Sequence, residues 1–362
     1  MDRDTSGVGP TAQQRTWPGI LGLLVDGRDL DPADTVWAID EIFGDNATPA
    51  QIAAFGVALK MKGPTPGELR GLADGMLAHA RLVVGAEDGL DIDGTGGDRA
   101  NTVNISTMAS IVVAASGVRV IKHGNRAASS KSGGADVLEA LGVAISLGPE
   151  AVAHCVSEVG IGFCFASLYH PALRFAGIPR RQIGIPTVFN VLGPLTNPGR
   201  PRSGLIGCAF EDLLETVAGV FVERGQSALV VRGDDGLDEL TTSTTSTVYL
   251  VEDRSVSRHS VDPRDLGIER VPLERLRGGD AEMNARVARG VFAGEPGPVR
   301  DAVLLTAAAA IAAYRGGEGD ATARIAEHWD TAAHAIDSGA AAALLDRWAT
   351  VSSDAATWDG QQ

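Results

Sequence analysis

From about residue 90 onward the chain repeats one pattern: a short β-branched run, a glycine-rich or polar turn, then a helical stretch. This alternation constrains the fold more than any other feature. Parallel strands need a crossover of a dozen or more residues, and a helix supplies it. The runs are 118-VRVIKHG-124, 161-IGFCFA-166, 204-GLIGCA-209, 228-ALVVRG-233 and 246-STVYLV-251, and Asp91-Ile92-Asp93 reads as a further strand end. Helices are expected at 105–116, 135–141, 149–158, 211–223 and 300–314. The fold class that follows is α/β, with a mainly parallel central sheet flanked by helices.

Residues 17–88 have a different texture and predict a small N-terminal helical domain. Asp31-Pro32-Ala33-Asp34, Thr48-Pro49-Ala50-Gln51 and Thr65-Pro66-Gly67-Glu68 each set an N-cap oxygen before a proline, with an acid or amide where a capping box needs it. The spacings of Ile52, Phe55, Leu59 and of Leu69, Leu72, Met76 are helical. The segment 178-IPRRQIGIPTVFNVLGPLTNPGRP-201 is expected to cross back to the helical part near 178–200, leaving 89–177 and 201–362 to the α/β domain. Residues 331–349 read as an alanine-rich packing helix interrupted near Asp337-Ser338-Gly339. Residues 1–16 are expected to be a disordered leader, since they lack the apolar stretch of a signal peptide.

At 362 residues and 44% hydrophobic content the chain has room for two domains with a sizeable core. A formal charge of −15 disfavours a nucleic-acid partner. Cys155, Cys164 and Cys208 are odd in number, lie in apolar stretches and lack CxxC spacing, so they read as reduced core residues. The most apolar run, 302-AVLLTAAAAIAA-313, is too short to span a bilayer. A cytoplasmic protein with no membrane association is expected.

Three elements carry chemistry. The first is 91-DIDGTGGDRANTVNIST-107, whose glycines at a strand end let backbone N–H groups approach an anion. Its spacing is neither that of a dinucleotide loop nor that of a nucleoside triphosphate loop. Alone it reads equally well as a tight turn. The second, 122-KHGNRAASSKSGGAD-136, gathers Lys122, Arg126 and Lys131 with Ser129, Ser130 and Ser132, the donor set that a diphosphate or phosphate monoester requires. His123 reads as a base or as a positioning residue, and Asn125 can read a ligand through its amide. In the third, 234-DDGLDEL-240, adjacent Asp238 and Glu239 suit Mg²⁺ or form a solvated acidic turn. All three follow strands and fall on one sheet edge, where α/β folds place ligands.

GTGGD…TVNIST, KHGNRAASSKSGGADVLEALGV, 188-VFNVLGPLTNP-198 and GDDGLDELT together resemble the anthranilate phosphoribosyltransferase family, in its motif order, from about residue 20 to 350. The resemblance implies a helical domain beside a large α/β domain, Mg²⁺ as cofactor, and a homodimer formed through the helical parts. It implies that Gly94, Gly97, Asp98, Thr102, Asn104, Ile105, Ser106 and Thr107 hold phosphoribosyl pyrophosphate (PRPP). Lys122, Gly124, Asn125, Arg126, Ala127, Ala128, Ser129, Ser130 and Gly134 would continue that grip. Ser106, Asp238 and Glu239 match metal ligands, and Gly94, Asn125, His170 and Arg180 match residues near anthranilate. Lys122, His123 and Arg180 would position the reactants, with no covalent nucleophile. His170, in 168-LYHPALR-174, is expected to cap a helix or form part of the acceptor wall.

Four positions depart from the family pattern. Asp93 stands where a β-branched apolar residue is usual, Arg99 where glycine is, Ser167 where proline is, and Arg232 where histidine is common. If Arg99 needs a positive φ, the substitution costs about 1–2 kcal/mol of strain; otherwise it adds a cation at the loop's lip. Two rival readings are a pyrimidine nucleoside phosphorylase-like enzyme, which resembles the chain through KHGNRA, and a non-catalytic nucleic-acid-binding relative. The acidic charge and the intact Asp238-Glu239 pair oppose the latter.

Overall fold

The protein is described by a computed structural model, which covers residues 15–127 and 131–359. Residues 1–14 of the expected leader, and Ala128, Ser129 and Ser130 of the second loop, lie outside the described residues.

The chain opens with α1 (Trp17–Val25), α2 (Pro32–Phe43), α3 (Pro49–Lys62) and α4 (Pro66–Ala78). Each of the last three starts with proline behind a complete capping box, on Asp31, Thr48 and Thr65. The α4 box is reinforced by charge. Buried Glu68 accepts from Thr65 N and Lys62 Nζ, both at 2.7 Å, and from Leu30 N at 2.8 Å.

The alternating region follows as β1 (Leu90–Gly94), α5 (Ile105–Ala115), β2 (Val120–Gly124), α6 (Gly134–Ala140), α7 (Pro149–Val159) and β3 (Ile161–Phe165). Next come α8 (Ala166–Tyr169), α9 (Arg174–Ile183), β4 (Ser203–Gly207), α10 (Leu214–Arg224), β5 (Ser227–Gly233), β6 (Ser246–Glu252) and β7 (Ser255–Val261). The chain closes with α11 (Ala281–Phe292), α12 (Pro298–Arg315), α13 (Ala321–Asp337) and α14 (Ala340–Asp359).

The seven strands form one sheet in the order β3-β2-β1-β4-β5-β6-β7. Pairing is parallel from β3 through β5 and antiparallel in β5-β6-β7, so the sheet is mainly parallel. The chain winds outward from β1 to β3 and then returns to the other side of β1 to lay down β4. The order therefore reverses between β1 and β4, and a crevice opens beyond their carboxyl ends.

Some elements differ from the sequence-based expectation. β7 was not anticipated, because SVSRHSV is polar and mostly exposed; an edge strand is held by backbone bonds and needs no apolar pattern. The helix expected to begin at His170 starts as a 3₁₀ turn, Pro171–Leu173, and continues as α9, which carries Pro179 internally and runs into the expected crossing segment. The expected helix at 211–223 begins as a 3₁₀ turn, Glu211–Leu213, before α10. Asp280 caps an unforeseen α11, and the alanine-rich stretch extends to α13 and α14 on either side of Gly339.

Apolar side chains collect on both sheet faces. One cluster joins α5, α12, α13 and α14 to β1, β2 and β3. The other joins α1–α4, Ala176, Phe189 and Leu195 to α10 and residues of β4 and β5. The helical part and the 176–195 segment thus roof one face of the sheet. No helix among the described residues is long and apolar enough to cross a membrane.

Candidate active site

The carboxyl ends of β1, β2 and β5 open onto a cavity of about 450 Å³. Its floor is set by close packing at the switch point. Gly94 and Gly207 pair across β1 and β4, and the Asp238 loop lies directly over both. A methyl group at Gly207 would overlap the Asp238 carbonyl, so only glycine permits the approach. Asp238 Oδ2 accepts from Gly96 N at 2.6 Å, and Glu239 Oε1 accepts from Ser106 N at 3.3 Å. The acid pair therefore sits against the first loop although it comes from β5.

Asn104 ends that loop without capping α5 by its side chain. Its Nδ2 donates to Ser132 O at 3.2 Å and its Oδ1 accepts from Asn284 Nδ2 at 2.8 Å. In the first turn of α5, Ile105 N donates to Val103 O at 2.8 Å and Ser106 N to Glu239, so Thr107 N is the one left for a ligand among the described residues. Asn284 was missed by the sequence reading, as was Asn190, which lines the cavity from the crossing segment. Asn284 has no local signal, since it acts on a loop distant in sequence, whereas Asn190 accepts from Thr187 N at 3.0 Å in a local capping box.

Lys122 is buried between the two loops, donating to Ile92 O at 2.6 Å and lying 3.4 Å from Ser106 Oγ. His123 Nδ1 is 3.1 Å from Gly193 O, and because a carbonyl only accepts, this nitrogen carries the proton. Burial, helped by His170, lowers the His123 pKa to about 3, so the ring is neutral. Its 4.0 Å approach to Asp93 is accordingly not an ion pair. Asp93 itself lines the cavity and is pushed well above the usual carboxylate range by burial and by the Asp91 charge.

The site is also strongly acidic. Burial, then the neighbouring Asp98, pushes Asp238 up to about 7. Burial and Asp238 raise Glu239 well above its ordinary value, and Glu239 Oε2 is buried without a hydrogen-bond partner among the described residues. Two crowded carboxylates with a spare oxygen fit a hard divalent cation. Among the described residues no three His, Cys, Asp or Glu side chains form a metal cage. Water and substrate oxygens would therefore complete the coordination.

Most residues expected at the site line this one cavity, from Gly94 on the first loop through Gly124 and Gly134 on the second to the acid pair. Gly97, Asp98, Thr102, Thr107 and Ala127 are among them. Arg180 reaches the cavity from α9, half-buried, and among the described residues its guanidinium has no hydrogen bond or ion pair. Burial lowers its pKa.

Three expectations need correction. Ile105 turns its side chain into the core, fully buried, and its N–H donates to Val103 O at 2.8 Å. His170, expected as a helix cap or at the acceptor wall, stands at the boundary between α8 and the 3₁₀ turn Pro171–Leu173 but lies a layer behind the wall: it is buried, Nε2 lies 2.9 Å from Thr196 O, and its ring packs edge-on to His123 at 5.2 Å. Arg126 borders the cavity, but its guanidinium is engaged by Asp136 and Glu139, each at 2.8 Å. Of the departures, Arg99 adopts φ +60°, so the strained alternative holds for its backbone, while its side chain still borders the cavity. Arg232 turns away toward Ala209 O and Glu211. A second cavity of about 380 Å³, between α4, α10 and residues 194–201, contains neither loop nor acid pair.

Residues 18–80 match the glycosyl transferase family helical bundle domain, and residues 86–342 match the a/b domain of the same family. An anthranilate phosphoribosyltransferase of Rhodococcus jostii is 71% identical over 96% of this chain and 99% of its own. That of Mycobacterium marinum is 59% identical over 92% of each. The chain belongs to the anthranilate phosphoribosyltransferase family. The solved family member from Thermus thermophilus superposes with a TM-score of 0.86 at 37% identity, over 92% of this chain and 99% of that one. The Saccharomyces cerevisiae member, determined with PRPP and Mg, gives 0.83 at 25% identity, over 93% and 98%. One cavity thus combines two glycine-bearing loops, an acid pair and Arg180.

Proposed function

We infer that the protein transfers the phosphoribosyl group of PRPP to the amine of anthranilate, giving N-(5-phosphoribosyl)anthranilate and diphosphate in tryptophan biosynthesis. The observation that carries this reading is the convergence of Lys122, both strand-end loops, the buried acid pair and Arg180 on one cavity. In this reading the diphosphate lies against the first loop and the α5 N-terminus, beside Lys122. As its bond to C1 breaks, negative charge grows on the leaving oxygen, and Lys122 and loop N–H groups stabilise it more than the ground state. The ribose carbon gains oxocarbenium character, as in glycoside chemistry. Ser106, Asp238 and Glu239 would hold Mg²⁺, which would supply positive charge to offset the negative charge building on the diphosphate.

An aromatic amine is neutral at pH 7, so it needs orientation rather than deprotonation before attacking the opposite face of C1. Positioning alone lowers a barrier by about 7–11 kcal/mol. Arg180 pairs its planar fork with the anthranilate carboxylate, and Asn125 donates beside it. Neutral, buried His123 acts as a positioning residue.

The two apolar clusters support a division into a helical domain, 17–88 with the crossing segment near 178–200, and an α/β domain of 89–177 and 201–362. Val25 and Met61, each 78% exposed on the helical part, support a dimer formed there. Three buried, unbridged thiols support a cytoplasmic location.

The test measures diphosphate release from PRPP and Mg²⁺ with and without anthranilate. Release should depend on anthranilate. Arg180→Ala should raise KM for anthranilate by about tenfold or more, the worth of a charge-assisted hydrogen bond, and spare KM for PRPP. Anthranilate-independent release, or phosphorolysis of a pyrimidine nucleoside in its place, overturns the reading.

A further inference from the structure

We propose that Ser167 is a positioning residue for acceptor specificity, locking the Asn125 amide so that its NH₂ group faces the acceptor's carboxylate. The inference rests on the reading of the cavity given above and adds a residue that the reading does not use.

Arg126 N donates to Asn125 Oδ1 at 2.8 Å. A backbone N–H has no acceptor capacity, so the atom facing it is the amide oxygen and the flip of Asn125 is determined. Ser167 Oγ lies 3.2 Å from that same oxygen, and an amide oxygen carries no proton, so the hydroxyl donates. Two donors from different elements then engage both lone pairs of Oδ1. Among the described residues, Asn125 Nδ2 has no protein hydrogen-bond partner, and Asn125 lines the same cavity as Arg180.

The clamp is built on rigid parts. β2 pairs with β3 in register, Gly124 against Phe165, so Asn125 and Ser167 issue from adjacent strand ends. The Arg126 side chain is tied to Asp136 and Glu139 on α6, which holds the backbone carrying the first donor. Alanine at 167 has no donor, and proline none in its side chain. Asn125 would then be held on one side only and would present its amide to the acceptor a smaller fraction of the time. The carboxylate-bearing end of the aromatic acceptor is what this arrangement recognises.

Steady-state kinetics on Ser167→Ala, Ser167→Thr, Asn125→Ala and the Ser167→Ala/Asn125→Ala double variant test the proposal. Loss of one neutral hydrogen bond should raise KM for anthranilate about three- to tenfold in Ser167→Ala. The kcat and the KM for PRPP should stay within about twofold, since the clamp acts on ground-state binding. Ser167→Thr, which keeps the hydroxyl, should restore the wild-type KM. The double variant should be no worse than Asn125→Ala alone, because both changes remove one unit. An unchanged KM in Ser167→Ala, failure of threonine to restore it, or additive losses overturns the proposal and leaves the acceptor wall standing. An unchanged KM in Asn125→Ala removes Asn125 from the acceptor wall, and the proposal falls with it.

Discussion

Gly94→Ala is a single-methyl perturbation whose effect can be worked out from the packing at the switch point. Gly94 lies outside the left-handed region, so alanine meets no backbone penalty there. Its methyl group, however, would stand 3.2 Å from Asp238 Cγ and 3.3 Å from Asp238 O, and closer still to Oδ2. Asp238 Oδ2 must retreat by about 1 Å to regain ordinary contact, and misplacement on that scale costs about 10²-fold in rate. The retreat also breaks the 2.6 Å bond from Gly96 N, which holds the first loop against the acid pair. Initial rates of diphosphate release are measured against Mg²⁺ at saturating PRPP and anthranilate, with circular dichroism to establish folding. A folded variant should lose about a hundredfold in rate and require more Mg²⁺ for half-activation. A folded variant with wild-type rate and wild-type Mg²⁺ dependence would refute the role given to the Gly94–Asp238 contact.

Two further outcomes follow from buried charge and exposed apolar surface. Asp238 has its pKa raised to about 7 in the folded protein, so between the ordinary carboxylate value and 7 the folded state holds a proton that the unfolded state lacks; its ionisation destabilises the fold as pH rises through 7. Asp238→Asn should therefore raise the melting temperature of the metal-free protein at pH 8, by roughly 2–4 °C per kcal/mol. The gain should fade toward pH 5, and a gain that grows on acidification contradicts the assignment. Val25→Glu with Met61→Glu should convert a dimer into monomers in sedimentation velocity, and an unaltered dimer sinks the helical-domain interface.

Features written over a few neighbouring residues were legible in the sequence. Each capping box is complete within four positions, and Asp31, Thr48 and Thr65 make the bonds their spacing implies. The parallel order of the sheet follows from strand–helix alternation, and the glycines after β1 announce a close backbone approach. β7 was illegible because an edge strand pairs through its backbone, whatever its side chains.

Within the site, residue types were readable and partners were not. Arg126 looked like a phosphate ligand, yet Asp136 and Glu139 from the following helix engage its guanidinium. His170 carried the marks of a cap or wall residue, and its depth behind His123 depends on where residues 193–197 cross. The Asn104–Asn284 contact spans 180 positions, with no local signal at either end.

By itself, then, the sequence determined most of the elements, the mainly parallel sheet and the chemical inventory of the three strand-end segments, because caps, turns and apolar periodicity act between neighbours along the chain. Only the tertiary structure decided which of those groups meet: Asp238 over Gly94, Ser167 on Asn125, and Arg180 on the same cavity as both loops. Those contacts depend on strand register, close packing and desolvation, which exist only once distant segments have been brought together.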